Sequence, residues 1–218
     1  MIDAKVKATD VVWHNAQVTK AQRAALLKQS GGTIWLTGLP SSGKSTTAYS
    51  LEHKLFELGF LAYVLDGDNV RHGLNKDLGF SYADRTENIR RVAEVASLFA
   101  DAGILTITSF ISPYREERNF ARRIHAAAGH NFAEIYIDTP LEVCETRDPK
   151  GLYAKARRGE LKGFTGLDDP YEPPLAPDLI CNAAVHSPLE LVSQIMAFLT
   201  EAGFLLSESY ELAGLGKM

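Results

Sequence analysis

The chain has 218 residues, 45 % of them hydrophobic and 23 % charged, with a formal net charge of −4. That size and composition suit one or two globular domains with a core of their own, and the acidic balance excludes a general nucleic-acid binder, which carries a basic face. No stretch approaches the ~20 apolar residues of a membrane span, the start "MIDAKVKATDVVWHN" holds no long apolar secretory segment, and Cys144 and Cys181 form no C-x-x-C pair, so a cytoplasmic protein with two small buried thiols is expected.

The first element is a short helix in "VTKAQRAALLKQSGG", capped by Thr19 and stopped at Gly31–Gly32. Residues 1–30 are read as an extension ahead of the main domain, which spans 31–203. An apolar strand, "TIWLTG" at 33–38, then runs into "GLPSSGKS", a G-x-x-x-x-G-K-[ST] loop from Gly38 to Ser45, and a helix over 44–58. Glycines let the backbone wrap an anion with successive N–H groups pointing inward, and the following helix adds the partial positive charge of its N-terminus. Gly38, Ser41, Ser42, Gly43 and Thr46 form the cradle, Lys44 reaches the terminal phosphates, and the Ser45 hydroxyl can ligate Mg²⁺. A nucleoside triphosphate with Mg²⁺ is the implied ligand; a local basic cleft is compatible with an acidic chain.

The second strand, "LAYVLDG" at 61–67, ends in an acidic pair, Asp66 and Asp68. Carboxylates at a strand's C-terminal end lie in the crevice where open parallel sheets bind ligands. One can orient Mg²⁺, with Ser45 and Asp66 as the metal-side candidates, and one can take the proton of an acceptor hydroxyl; the spacing does not say which does which. A helix over 85–102 follows, with Ser81 or Asp84 as cap. Arg85 and Asn88, three residues apart, share a face near its start, suited to a phosphate or sulfate group, whereas Arg90 and Arg91 point elsewhere and read as a solvated face.

The third strand, "ILTITSF" at 104–110, leads to Ile111 and Ser112 at the crevice rim and a helix over 114–128. Ser112 reads as a cap, a ligand contact or a phosphoryl acceptor. A fourth strand, "AEIYIDT" at 133–139, and a helix over 140–147 precede a segment, 148–177, rich in charge, Gly and Pro. Its length marks a lid, over about 148–170, whose Arg147, Lys150, Lys155, Arg157, Arg158 and Lys162 would close on a triphosphate and exclude water. Phe80 and Phe164 are either core residues or a pair of faces that stack on a base. A weaker strand at 178–183, a helix over 188–202 and a tail over 204–218 complete the chain. Strands alternating with helices and no internal repeat define an α/β fold: a P-loop NTPase-like, doubly wound parallel sheet of about five strands with helices on both faces. No N-K-x-D guanine-reading motif occurs, which argues against a GTP switch.

Taken together, "VVWHNAQVTKAQR", "TIWLTGLPSSGKST", "LDGDNVRHGLNKDLGFSYADRTENIRR", "FISPYREER" and "GLYAKARRGELKGFTGLDDPYEPP" resemble the adenylylsulfate kinase (APS kinase) family over residues 11 to 200. The resemblance implies transfer of the γ-phosphoryl of MgATP to the ribose 3′-hydroxyl of adenosine 5′-phosphosulfate (APS), giving 3′-phosphoadenosine 5′-phosphosulfate (PAPS) and ADP. It implies an APS site formed by Asp68, Asn69, Val70, Arg71, Phe80, Arg85, Thr86, Glu87, Asn88, Ile111, Ser112, Lys150, Gly163 and Phe164, with the two phenylalanines as an adenine clamp. Lys44, Asp66, Asp68 and Ser112 are the implied catalytic group, Ser112 matching the family's phosphoserine position, although direct in-line transfer needs only positioned substrates, Mg²⁺ and electrostatics. A homodimer is implied, with the pathway's ATP sulfurylase on a separate chain. The alternatives are a P-loop kinase for a nucleoside or shikimate-like acceptor, and a nucleotide sensor without turnover; Lys44, Ser45, Asp66 and Asp68 all being present argues against the sensor.

Overall fold

The computed structural model describes residues 8–205. Its elements run α1 (Lys20–Leu27), β1 (Gly32–Thr37), α2 (Lys44–Glu57), β2 (Ala62–Asp66), a 3₁₀ turn (Asn69–His72), α3 (Tyr82–Asp101), β3 (Leu105–Ser109), α4 (Arg115–Ala127), β4 (Asn131–Asp138), α5 (Leu141–Arg147), α6 (Leu152–Arg157), β5 (Leu179–Asn182) and α7 (Pro188–Glu201). The five strands form one parallel sheet in the order β2-β3-β1-β4-β5. All six residues of β1 are buried, as a central parallel strand covered on both faces requires.

One face of the sheet packs on α2 and α7 through Leu51, Leu55, Leu191, Ile195 and Leu199. The other packs on α3 and α4 through Trp35, Val92, Ala96 and Phe120. Local chemistry sets the helix starts. Ser187 and Glu190 form a capping box that brackets Pro188 at the first helical position of α7, and Ser81 caps α3 by accepting the Asp84 N–H at 3.2 Å. Asp84 is therefore inside the helix, which begins three residues before the expected position.

The expected stop of α1 at Gly31–Gly32 is corrected. The helix ends on Lys28, in the left-handed conformation at φ 53°, with its N–H bonded to the Ala24 carbonyl. The two glycines answer to packing instead: a Cβ on Gly31 would lie 2.0 Å from the Ala100 carbonyl oxygen at the end of α3, and one on Gly32 would lie 2.9 Å from the Phe204 ring. α1 docks on the body of the domain, with Arg23 pairing Asp101 at 3.0 Å and Lys20 reaching His130. At the other end Phe204 and Leu205, the first two residues of the expected tail, are buried in the main core; the rest of that tail lies outside the described residues.

The segment 148–177 is more ordered than its composition suggests. It contains α6, organised by Asp148, whose carboxylate accepts the N–H groups of Tyr153 and Ala154 at 3.1 and 3.0 Å. It also has a small core of its own, in which Tyr153 and Phe164 meet edge to face beside Cys144 and Leu39.

Candidate active site

The C-terminal ends of β1, β2 and β3 and the segment after α5 enclose a cavity of about 920 Å³. Its donor side is the loop between β1 and α2. Gly43 holds φ 106° and Ser41 φ 60°, the left-handed conformations that turn the backbone around an anion. Gly38 lies beneath the loop, where a Cβ would come within 2.6 Å of the Ile137 carbonyl oxygen. Ser42 is fully buried there, and its own carbonyl accepts from Thr139 at 2.9 Å and Arg147 at 3.3 Å. Neither Gly38 nor Ser42 lines the cavity, whereas Ser41, Gly43, Lys44, Ser45, Thr46 and Arg147 do.

Lys44 is buried, and its ammonium donates to the Gly38 and Leu39 carbonyls at 3.0 and 2.6 Å. Burial pushes its pKa down to about 8, against the opposing pull of its neighbours Cys144 and Asp66. The Ser45 hydroxyl donates to Asp66 at 2.8 Å and lies 3.2 Å from the Ser109 hydroxyl. The second oxygen of Asp66 accepts the Asp68 N–H at 2.9 Å. Ser45 and Asp66 are hard oxygen donors that fit Mg²⁺, an ion that takes one or two protein oxygens and completes its shell with water and phosphate. No cluster of three His, Cys, Asp or Glu side chains suited to a metal cage occurs among the described residues.

The acceptor side faces this loop. The exposed carboxylate of Asp68 pairs with Lys150 from the segment after α5. Asn69 donates to the Tyr49 hydroxyl at 2.9 Å. Arg71 stacks over the Phe80 ring at 4.4 Å and donates to the Leu78 and Gly79 carbonyls at 3.1 and 2.9 Å. Phe80 is 71 % exposed, whereas Phe164 is only 8 % exposed, so one ring stands free and the other is part of the small core. Both line the cavity, as do Arg85, Asn88, Ile111, Ser112 and Gly163.

Three of the expected acceptor residues do not reach the cavity wall. Val70 packs into the second core cluster. Thr86 donates to Glu117 of α4 at 2.8 Å. Glu87 is held by Arg90 and Arg91, whose guanidinium groups pull its carboxyl down to about 2. Arg90 and Arg91 thus have a carboxylate partner in place of the expected solvated role. The fork of Arg85, expected to be free for an anion, bonds instead to the Phe80 and Gly163 carbonyls and to Thr165 and Asp169.

Ser112 is 2 % exposed and holds φ 40°. Its hydroxyl accepts the Trp35 indole N–H at 3.1 Å, and its carbonyl accepts from the buried Arg118 at 2.6 Å. Arg118 also pairs with Glu134 of β4 at 2.6 Å and donates to the Glu172 carbonyl at 2.6 Å. The sequence reading missed Tyr49, Ser109, Leu161, Ala183 and His186, all on the cavity wall. Ser109 was within reach, because it is the last residue of β3 and pairs in register with Asp66.

A phosphate-gripping loop at the end of a central parallel strand, an acidic pair on the next strand and an aromatic-lined acceptor pocket across from them define a P-loop kinase for a small metabolite. A family model described as Adenylylsulphate kinase matches residues 30–182. Adenylyl-sulfate kinase of Clostridium acetobutylicum is 55 % identical over 195 residues, covering 89 % of this chain and 96 % of that one. The enzyme of Saccharomyces cerevisiae is 60 % identical over 172 residues, covering 79 % and 85 %. The solved structure of Mycobacterium tuberculosis APS kinase in complex with AMPPNP and APS superposes with a TM-score of 0.77 at 54 % identity, covering 79 % of this chain and 99 % of that one. The chain belongs to the adenylylsulphate kinase family.

Proposed function

We propose that this cavity seats both substrates, the donor triphosphate on the Gly38–Thr46 loop and the acceptor between Phe80 and Phe164, with the acidic pair between them. The chain is an adenylylsulfate kinase: it transfers the γ-phosphoryl of ATP to the ribose 3′-hydroxyl of APS, giving PAPS and ADP. The observation that carries the division of labour is the hydrogen-bonding of the two aspartates. Asp66 is buried and engaged on both oxygens by Ser45 and the Asp68 N–H, so it is the metal-side carboxylate. The Asp68 carboxylate is exposed and paired with Lys150, so it takes the proton that leaves the 3′-hydroxyl.

Lys44 exchanges its loop carbonyls for phosphate oxygens and, with Arg147, supports the charge of the moving phosphoryl group. Mg²⁺, when bound by Ser45 and Asp66, neutralises phosphate charge and orients the triphosphate. Gly38 and Ser42 support the loop from beneath, and Val70, Thr86 and Glu87 support the acceptor wall from behind. Asn69, Arg71, Asn88, Ile111 and Lys150 contact the acceptor. Residues 31–203 form the kinase domain, with a lid at about 148–170. The enzyme works in the cytoplasm, where two buried free thiols are stable, as a homodimer.

The deciding experiment is coupled ADP release with MgATP, with and without APS, followed by location of the new phosphate on the product. ADP release that depends on APS, with phosphate on the ribose 3′-oxygen, is expected. Release driven instead by shikimate or a nucleoside would move the chain to another acceptor class, and tight APS binding without ADP release would make it a sensor.

A further inference from the structure

Asp168 and Asp169 stand at the C-terminal end of the lid segment and lie outside the cavity wall. Each carboxylate holds one half of the acceptor pocket. Asp168 accepts the Gly163 N–H at 2.7 Å and the Phe164 N–H at 2.6 Å, and these bonds hold its carboxyl below the usual range. Asp169 accepts from Arg85 at 2.8 Å, from the Tyr114 hydroxyl at 3.1 Å and from Thr165 at 3.4 Å. Arg85 in turn donates to the Phe80 carbonyl at 2.9 Å and to the Gly163 carbonyl. One guanidinium therefore ties together the backbones that carry the two rings, and one carboxylate aims that guanidinium.

Tyr114 is fixed from its other side by packing against Tyr82 at the start of α3, with ring centroids 5.0 Å apart. Burial and the adjacent Asp169 push its hydroxyl up to about 12, so it remains a donor throughout the neutral range.

We propose that Asp168 and Asp169 are positioning residues that act as a latch: they set the gap between Phe80 and Phe164 and so govern the affinity for a planar purine acceptor without touching it. The inference rests on the proposed seating of the acceptor between those rings. Two rings set on opposite sides of a pocket favour a base when their spacing admits one aromatic ring, because stacking on both faces is then realised together. Smaller, non-planar acceptors gain nothing from it. The donor loop makes none of these hydrogen bonds and meets the latch only through the packing of Leu39 against the Tyr153–Phe164 core, so the effect on donor binding is the smaller one.

The test combines steady-state kinetics with calorimetric binding of APS in the presence of ADP. Asp169→Asn is expected to raise both KM and Kd for APS about tenfold, the effect of weakening one charge-assisted hydrogen bond, with KM for MgATP within about twofold. Tyr114→Phe, which keeps the ring on Tyr82, is expected to raise them about threefold. Asp169→Glu, which restores the charge, should recover part of the loss. Equal increases in both substrates' KM, or an unchanged APS Kd at wild-type Tm, would overturn the latch. If Asp169→Asn does not fold, Tyr114→Phe decides. A wild type that binds APS without turnover would remove the functional reading and leave the Kd ratios to judge the latch; a wild type that neither binds nor turns over would overturn both.

Discussion

Ser112 shows how little a residue's type says about its task. A serine at the rim of a phosphotransfer site suggests a nucleophile, yet the Ser112 hydroxyl is buried and accepts from Trp35. Its left-handed backbone costs of order 1–3 kcal/mol for a non-glycine residue, and Arg118 and the Trp35 indole are the contacts that hold it. The strained turn keeps Ile111 and Pro113 on the cavity wall. Ser112→Ala is therefore expected to retain turnover within about tenfold, since it loses one neutral hydrogen bond and no reacting group. A loss beyond about a thousandfold, with APS binding intact by calorimetry, would restore a covalent phosphoserine.

At the scale of elements, close approaches between backbones limit the sequence more than turn conformations do. Gly31 and Gly129 make the contrast. An added Cβ at Gly31 would strike the backbone of α3, whereas at Gly129, at φ 63°, it would meet open space. Gly31→Ala should cost about 3 kcal/mol as overpacking, a fall in Tm of roughly 10 °C for a chain of this size. Gly129→Ala should cost about 1 kcal/mol from its left-handed backbone alone. Equal costs by thermal denaturation would contradict this account.

The same distinction explains what could be read in advance. The phosphate loop was legible because its parts lie within eight residues and follow directly on a short strand with the apolar centre Ile34-Trp35-Leu36. The strand and helix pattern was legible for the same local reason. The partners of Arg85 and Arg118 were not, because Asp169 stands 84 residues from Arg85 and Glu172 stands 54 from Arg118. Spacing on one helix said that Arg85 faces the site; it could not say that protein groups already occupy its fork. α6 was missed because its six residues are organised by a carboxylate four positions before its first residue, outside any standard cap.

For the whole molecule, two buried titratable groups oppose each other. Burial raises the Glu117 carboxyl from 4.5 to about 7. Between those pH values the folded chain keeps a proton that the unfolded chain has lost, so stability falls as pH rises through the window. Burial lowers the His125 imidazole from 6.5 to about 4, with Nδ1–H on the Ala121 carbonyl and Nε2 accepting from Thr33. There the unfolded chain holds the extra proton, so stability rises with pH over nearly the same range. Relative to wild type, Glu117→Gln should gain on the order of 2 kcal/mol between pH 5 and 8. His125→Gln should lose a similar amount relative to wild type between pH 4 and 6.5. Urea denaturation across pH would measure both differences, and parallel curves for either variant would show that its group is not titrating as described.

The sheet order also bears on how the chain comes to its fold. β1 pairs with β3 and β4 alone, through partners that begin at Leu105 and Asn131. During synthesis this strand, buried along its whole length, and the loop it carries leave the ribosome long before either neighbour exists. Pairing that spans so much intervening chain is intrinsically slow and leaves a hydrophobic edge open to other molecules meanwhile. The strand that carries the phosphate loop is thus the first to be made, and it waits for its second partner until Asn131–Asp138 has emerged.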